Sequence, residues 1–329
     1  MKMRDLCLAG MAMLAASCAR SASALPDLDN LDDPGRGAHL IRGDFKPGKL
    51  PDGNTLILEA KGGLIVFDTG RHPAHAEKIL AFARTRSQPI VAIFNSHWHL
   101  DHISGNIALH AAFPDAKVYS NDPSLRQALS SFLARGADHN RQVLADPKAD
   151  PVAREDARLD LATVEAGARL HPDVSIDKTQ TLTIGGRRLV VHLAAGASTG
   201  DVWLYDPRAR LVIAGDLITL PAPFLDTACP SKWSAALEAV LRQPFVHVAP
   251  GHGRLMVRAD VVGYRDAFNA LLVCANRIEP APTCAHAWAS AVAPLQDDPT
   301  RDQAGAIGYA TYYVEEILRK PTKRPDCTG

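Results

Sequence analysis

The chain has 329 residues, 47% of them hydrophobic, which is enough for a buried core in one large domain or two small ones. Its 36 basic and 36 acidic side chains give a formal net charge of zero, which argues against a strongly basic nucleic-acid-binding protein and an acidic disordered tail. Long apolar runs are confined to the N-terminus, which excludes a protein with several membrane spans.

The N-terminus has the pattern of an export signal. Two basic residues precede an uncharged apolar stretch over residues 6–16, which has signal-peptide length and is short for a membrane span. Two processing routes are open: cleavage that removes a signal peptide of residues 1–24, or a lipoprotein signal that ends before Cys18. Either route predicts an exported protein, periplasmic or attached to a membrane only through a lipid anchor at Cys18.

A leader over residues 25–37, rich in Asp, Pro and Gly, precedes a region of alternating strand and helix patterns. Residues 74–86 have helical periodicity. Short apolar runs, some joined by Gly-Gly turns, predict strands at 55–60, 64–67, 90–94, 181–184, 189–191, 202–205, 211–214 and 245–249. The strands form two groups with helices between and after them, which predicts an α/β fold of two facing sheets with helices outside.

Two segments depart from this alternation. Residues 122–168 contain no strand pattern and predict a helical insert, either a cap near the functional site or a plain surface excursion. Residues 261–329 predict a helical C-terminal extension to the main domain over residues 38–260.

Four cysteines remain after either processing route, and an even number in an oxidising compartment permits two disulfides. Cys274 and Cys284 flank a proline-containing turn, so we expect this pair, which leaves Cys229 with Cys327. Four unpaired buried thiols are the alternative.

The strongest chemical signal is the hexapeptide that follows the predicted strand ending at Phe94. It contains His97, His99, Asp101 and His102, and such a set is costly to bury unless the side chains are paired or bind a metal. Neutral imidazole suits zinc, and a carboxylate adds an oxygen ligand. One loop of this kind can supply ligands to two adjacent metal ions.

Three further segments could contribute to the same metal site, since each follows a predicted strand. Asp216 can bridge two cations, and His252 has glycine on both sides, which lets the backbone approach a ligand closely. Asp68 is expected to orient a metal-binding histidine rather than to bind the metal.

With these residues the chain resembles the metallo-β-lactamase superfamily, over roughly residues 38–260. The family's motifs are matched, in chain order, by Asp68-Thr69-Gly70, by His97, His99, Asp101 and His102, by Asp216 and by His252. The resemblance implies an αββα sandwich with a metal site at the edge of the two sheets. It also implies hydrolysis driven by a metal-bound hydroxide.

One position departs from the family's pattern. Members usually carry a Gly-His-Thr/Ser-x-Gly-Asp segment whose histidine completes the first metal site, and here Ala197 stands in its place. The resemblance therefore implies a first site reduced to His97, His99 and the shared Asp216. The second site keeps Asp101, His102, Asp216 and His252.

Three outcomes stay open at this point. One zinc ion binds firmly in the second site, a second zinc binds with water or a substitute histidine, or the site is degenerate. The candidate substitutes are His139, His171 and His192.

The expected activity is metal-assisted hydrolysis, with Asp101 as the catalytic residue that orients the attacking water. The expected partner is a small-molecule substrate and not a nucleic acid, because the chain has no basic patch. Export favours a carbonyl substrate such as an ester, lactone or β-lactam, and Trp98, the helical insert and residues 221–225 are expected to form an apolar pocket wall. The alternatives are a non-catalytic exported metal- or ligand-binding protein and a phosphodiester hydrolase. The sequence does not predict the oligomeric state.

Overall fold

The short apolar runs form two mixed sheets in a computed structural model, which describes residues 31–44 and 48–320. The first sheet has seven strands in chain order. Its strands are β1 Leu31–Asp32, β2 Ala38–Ile41, β3 Thr55–Ala60, β4 Gly63–Phe67, β5 Ile90–Phe94, β6 Lys117–Ser120 and β7 Val174–Ser175. Strands β1 to β4 pair antiparallel, and β4 to β7 pair parallel, with Phe67 opposite Phe94.

The second sheet has six strands in the order β13-β12-β11-β10-β9-β8. They are β8 Gln180–Ile184, β9 Arg187–Ala194, β10 Asp201–Asp206, β11 Leu211–Gly215, β12 His247–Pro250 and β13 Met256–Val257. Only the β11–β12 pair among these strands is parallel in the part of the chain that the structure describes. The carboxyl ends of β11 and β12 therefore meet at one edge of the sheet.

The described residues contain ten α-helices. They are α1 Pro73–Arg86, α2 Leu100–Ile103, α3 Asn106–Ala112, α4 Asp122–Ser130, α5 Phe132–Ala145, α6 Pro151–Glu165, α7 Pro230–Leu241, α8 Arg258–Ala275, α9 Ala281–Val292 and α10 Pro299–Tyr312. A π-helical turn over Tyr313–Leu318 continues α10.

Three buried clusters hold the layers together. The alternate residues of both sheets, such as Phe94 and Val202, meet in a core between the sheets. The opposite face of the first sheet packs against α1 and α3, and that of the second packs against α7 to α10, where Trp203 and Trp233 are buried. Helix, sheet, sheet and helix thus form four layers, which confirms the predicted αββα sandwich.

The helical insert packs on the metal-site loop. Leu125 and Leu133 of the insert share a buried cluster with Trp98 and Leu100. The insert consists of α4, α5 and α6, and its contacts with Trp98 place it over the edge of the sandwich where the histidines lie.

The structure adds detail at two boundaries. The segment expected as a leader contains the short strand β1, which pairs with β2 in the first sheet. The C-terminal helical region begins with α8 at Arg258, and its helices supply part of the core on the helical side of the second sheet.

The expected disulfide between Cys274 and Cys284 joins α8 to α9, with 5.7 Å between the two Cα atoms. Cys229 is also disulfide-bonded, but its expected partner Cys327 lies outside the described residues, as do the predicted signal peptide and Cys18. Among the described helices, none combines the length and the apolar character that a membrane span requires.

Candidate metal centre

Four loops bring the predicted site residues together, and each loop follows a strand. Asp68 follows β4, the histidine hexapeptide follows β5, Asp216 follows β11 and His252 follows β12. Because β4 and β5 are parallel, as are β11 and β12, all four loops leave the sandwich at the same edge. A Cβ atom at Gly251 would overlap the Asp216 carboxylate, so the glycine there allows the close approach of the last two loops.

The first group of candidate ligands contains His97, His99 and Asp216. Their ligand atoms all lie within 4.8 Å of one another, and all three side chains are buried. His97 Nε2 lies 2.7 Å from His99 Nδ1 and 3.8 Å from Asp216 Oδ2. These three atoms face a common point.

The second group contains Asp101, His102 and His252, again with ligand atoms within 4.8 Å of one another. His252 Nε2 lies 3.1 Å from Asp101 Oδ2, and His102 Nε2 lies 3.6 Å from the same oxygen. Asp216 joins the two groups, since its other oxygen, Oδ1, lies 3.2 Å from His102 Nε2 and 3.6 Å from His252 Nε2.

The donor atoms fit metal ions. Among the described residues, His102 Nε2 and Asp216 Oδ1 are buried without a hydrogen-bond partner, because their 3.2 Å approach lacks hydrogen-bond alignment. Unpartnered buried polar atoms are costly in an ordinary core. Two nitrogens and carboxylate oxygens directed at one point are the ligand set that zinc prefers.

Hydrogen bonds behind the histidines turn a lone pair of each ring toward the site. His102 Nδ1 donates to Asp68 Oδ2 over 2.8 Å. The Ser96 hydroxyl donates to the same carboxylate, so it accepts from His97 Nδ1 over 2.8 Å. Asp68 thus orients both His97 and His102, the role that the sequence predicts for it.

His99 has a separate support on the other side of the site. The Thr227 hydroxyl donates to the Ala197 carbonyl over 3.1 Å, so it accepts from His99 Nε2 over 2.8 Å. The His99 ring is therefore held with Nδ1 free to bind a metal. Ala197 itself is buried and brings only a methyl group to this region.

The structure does not bring a substitute histidine into the first group among the residues that it describes. His192 stacks on Trp203, with ring centroids 3.8 Å apart, and Trp203 belongs to the core on the helical side of the second sheet. His171 binds Asp122 over 2.5 Å. His139 lines the adjacent cavity but is outside both ligand groups.

The histidines of the two groups differ in the direction in which their pKa values are shifted. Burial lowers the pKa of His97 well below its usual value and that of His99 to about 3, so both rings are neutral at neutral pH. Burial also acts against protonation of His102, but the carboxylates of Asp216 and Asp101 outweigh it and raise the pKa of that ring well above its usual value. The same two carboxylates raise the pKa of His252 against the effect of burial.

A cavity of about 390 Å³ opens beside both groups, with His99, Asp101, Asp216 and His252 in its wall. The rest of its lining is mostly apolar and comes from the metal-site loop, the insert, the loop after Asp216 and the C-terminal helices. These walls include Trp98, Phe132, Val164, Leu220, Phe224 and Tyr313. The predicted apolar wall is thus present, with an added contribution from the C-terminal helices.

Three contributors to the site were missed in the sequence. Arg71 and Asp160 line the cavity, and Thr227 supports His99. Arg71 directly follows the Asp-Thr-Gly motif, and this position in the sequence could have identified it as a residue of the site. Asp160 and Thr227 carry no local signal, because their partners lie 89 and 128 residues away in the chain.

Comparisons with known proteins identify similar hydrolases. A linear primary-alkylsulfatase from a Pseudomonas species is 24% identical over 226 residues, 60% of this chain and 41% of the relative. An atrochrysone carboxyl ACP thioesterase from Aspergillus fumigatus is 31% identical over 128 residues, 36% of this chain and 40% of the relative. The chain thus spans about two fifths of the length of these curated relatives.

A solved metallo-β-lactamase from Pontibacter korlensis has the same fold, with a TM-score of 0.55 and 19% identity over 73% of this chain and 98% of that one. The profile of the metallo-β-lactamase superfamily matches residues 49–252, a stretch that contains both ligand groups and Asp68. This protein belongs to the metallo-β-lactamase superfamily.

Proposed function

We propose that this protein is an exported, zinc-dependent hydrolase that acts on a small, largely apolar carbonyl substrate, namely an ester, a lactone or a β-lactam. The observation that carries the proposal is the pair of ligand groups, joined by Asp216, in the wall of an apolar cavity. Two relatives, an alkylsulfatase and a thioesterase, support hydrolysis as the reaction class.

Zinc, when bound, would lower the pKa of a water ligand to about 7 and polarise the oxygen of the bond to be cleaved. The residues that would hold the metal are His97, His99, Asp101, His102, Asp216 and His252. The second group, with Asp101 as its carboxylate, would hold one zinc ion firmly. The first group, which lacks the histidine replaced by Ala197, would hold a second ion more weakly.

Asp101 has the catalytic role in this proposal. Its Oδ2 atom lies on the side of His252, where it can accept a hydrogen bond from the attacking water and orient it. The same oxygen would take a proton from that water and then pass it to the leaving group. Trp98, Phe132 and Phe224 would bind the apolar part of the substrate and exclude water from it.

Export is supported by the signal-peptide pattern and by the Cys274–Cys284 disulfide, since such bonds persist in oxidising compartments. The partner in this proposal is therefore a small molecule outside the cytoplasm, and the formal net charge of zero argues against a nucleic acid. Attachment to a membrane would come only from lipidation of Cys18.

A second candidate substrate is an alkyl sulfate. It is favoured by the similarity to the alkylsulfatase over 60% of this chain, together with a cavity wall suited to an alkyl chain. Two other functions compete with hydrolysis of a carbonyl compound: phosphodiester hydrolysis, and metal or ligand binding without catalysis.

The test begins with the chain from Leu25 onward, with its zinc content measured by mass spectrometry. Turnover is then measured on a panel of aryl and alkyl esters, lactones, a β-lactam, an alkyl sulfate and a phosphodiester. We expect at least one bound zinc ion and chelator-sensitive turnover of a carbonyl compound, lost in Asp101→Ala. Metal-dependent turnover of the sulfate or the phosphodiester alone would move the assignment to that class. Bound zinc without turnover of any compound would favour the non-catalytic function.

A further inference from the structure

Arg71 joins the helical insert to the metal-site carboxylate Asp101. Its Nη1 atom donates to Asp160 Oδ1 of α6 over 2.5 Å, and its Nη2 atom lies 3.6 Å from Asp101 Oδ1. All three side chains are close to nine-tenths buried, with exposed fractions of 10–11%. An ion pair in such a dry setting is screened far less than one on the surface.

Two further hydrogen bonds hold Arg71. Its Nε atom donates to the Pro51 carbonyl over 3.1 Å, and its backbone N–H donates to Asp52 Oδ1 over 2.7 Å. Because the guanidinium fork is planar, these bonds fix the direction in which Nη2 points. That direction is toward Asp101.

The two oxygens of Asp101 have different neighbours. Oδ2 faces His252 and His102, at 3.1 and 3.6 Å, whereas Oδ1 faces Arg71. A partial rotation of this carboxylate would turn Oδ2 away from the second ligand group. The position of Arg71 opposes that rotation.

We propose that Arg71, held by Asp160 of the helical insert, is a positioning residue that keeps Asp101 Oδ2 directed at the metal position of the second group. The inference rests on the metal centre of the proposed function. It gives the insert a role in metal binding in addition to its role as a wall of the cavity.

Helix α6 offers a matched control one turn before Asp160. Asp156 is also buried, and it binds His72 Nε2 over 3.1 Å and the Leu50 backbone N–H over 2.8 Å. Asp156→Asn therefore weakens the attachment of α6 to the same segment without breaking the contact between Arg71 and Asp160. Asp160→Asn removes the charge that holds Arg71, and Arg71→Lys keeps the charge but loses the fork.

The experiment measures zinc affinity by competition with a chelator, the visible spectrum of the cobalt-substituted protein, and the thermal midpoint of each variant. Loss of a residue that supports a metal ligand costs about 10–100-fold in metal affinity, so we expect a loss of about tenfold or more in Asp160→Asn and Arg71→Lys. Both variants should also change the cobalt spectrum, and Asp156→Asn should leave affinity and spectrum as in the unsubstituted protein.

Three results would overturn the inference. Equal zinc affinity in all variants would show that Arg71 does not position Asp101, and equal losses in Asp156→Asn and Asp160→Asn would show only a general attachment of the insert. Absence of zinc binding by the unsubstituted protein would overturn the metal centre itself, and this result is distinguishable from the other two.

Discussion

The two ligand groups differ in how they are completed and supported. The second group has Asp101, His102 and His252, shares Asp216, and is supported by Asp68 at His102. The first group has two histidines and the shared Asp216, with Ala197 where its family has another histidine. Among the described residues, Asp216 is the only ligand common to both groups. The loss of any other ligand therefore affects one group alone.

The shared carboxylate gives the largest expected effect. Asp216→Ala removes a ligand from both groups, so we expect zinc content to fall to near zero and hydrolysis to fall by more than the ~100-fold that loss of a supporting residue costs. Metal analysis and turnover of the best substrate check this. Retention of one zinc ion per chain by the variant would show that the groups do not depend on Asp216 equally.

The two groups can be separated with a pair of histidine variants. His252→Ala should abolish firm zinc binding and lower turnover about 100-fold, whereas His99→Ala should retain one zinc ion with a smaller loss of turnover. Zinc titration of both variants checks the order. The reverse order would assign the firm ion to the first group.

Substitution of residues that hydrogen-bond to the ligands should show the same difference between the groups, with smaller losses of zinc affinity. Asp68→Asn weakens the support of His97 and His102 together, so we expect about a 10–100-fold loss of zinc affinity. Thr227→Val removes only the support of His99 and should leave the firm ion nearly unaffected. Chelator competition measures both, and similar losses in the two variants would remove the distinction.

The pH dependence of metal binding should also differ between the groups. Carboxylates raise the pKa of His102 and His252 against the effect of burial, so protons compete with zinc for these two rings. Zinc affinity should therefore rise with pH, by about tenfold per unit for each proton released. His97 and His99 are already neutral because burial lowers their pKa, so they add no such slope. Calorimetric titration in buffers of different ionisation enthalpy counts the protons released, and a count of zero would contradict this.

Restoring the absent ligand is the smallest change expected. Ala197→His should tighten binding of a second zinc ion by about tenfold, while overpacking of this buried position costs about 1–3 kcal/mol of unfolding free energy. Ala197→Gln adds a side chain of similar size with no imidazole and serves as the control. Equal zinc stoichiometry in the two variants would show that position 197 does not reach the first group.

The sequence predicted those parts of the site that are local in the chain. The hexapeptide from His97 to His102 stands out because buried histidines and carboxylates need partners. Asp68 stands out because it comes directly after a predicted strand. The glycines around Ala197 made the missing ligand visible. Local patterns of this kind also sufficed for the sandwich, since alternating apolar runs decide which sheet face is buried.

Contacts between distant segments could not be predicted in the same way. Arg71 meets Asp160 only because the insert folds back on the sheet edge, and no spacing rule connects residues that far apart. The same holds for the C-terminal helices, whose periodicity predicts helix but not their place in the cavity wall. Tyr313 lies in that wall because α10 packs against the second sheet's helical layer.

Part of the cavity wall comes from stretches of the chain that carry no metal ligand. Phe132, Val164 and Tyr313 belong to the insert and to the C-terminal helical region, whereas the ligands lie on loops and on the short helix α2, in segments that follow strands. Substitutions in the insert or the C-terminal helical region can therefore change which substrate binds while the metal centre stays intact. An architecture of this kind lets selection adjust substrate preference without repeating the evolution of the chemistry.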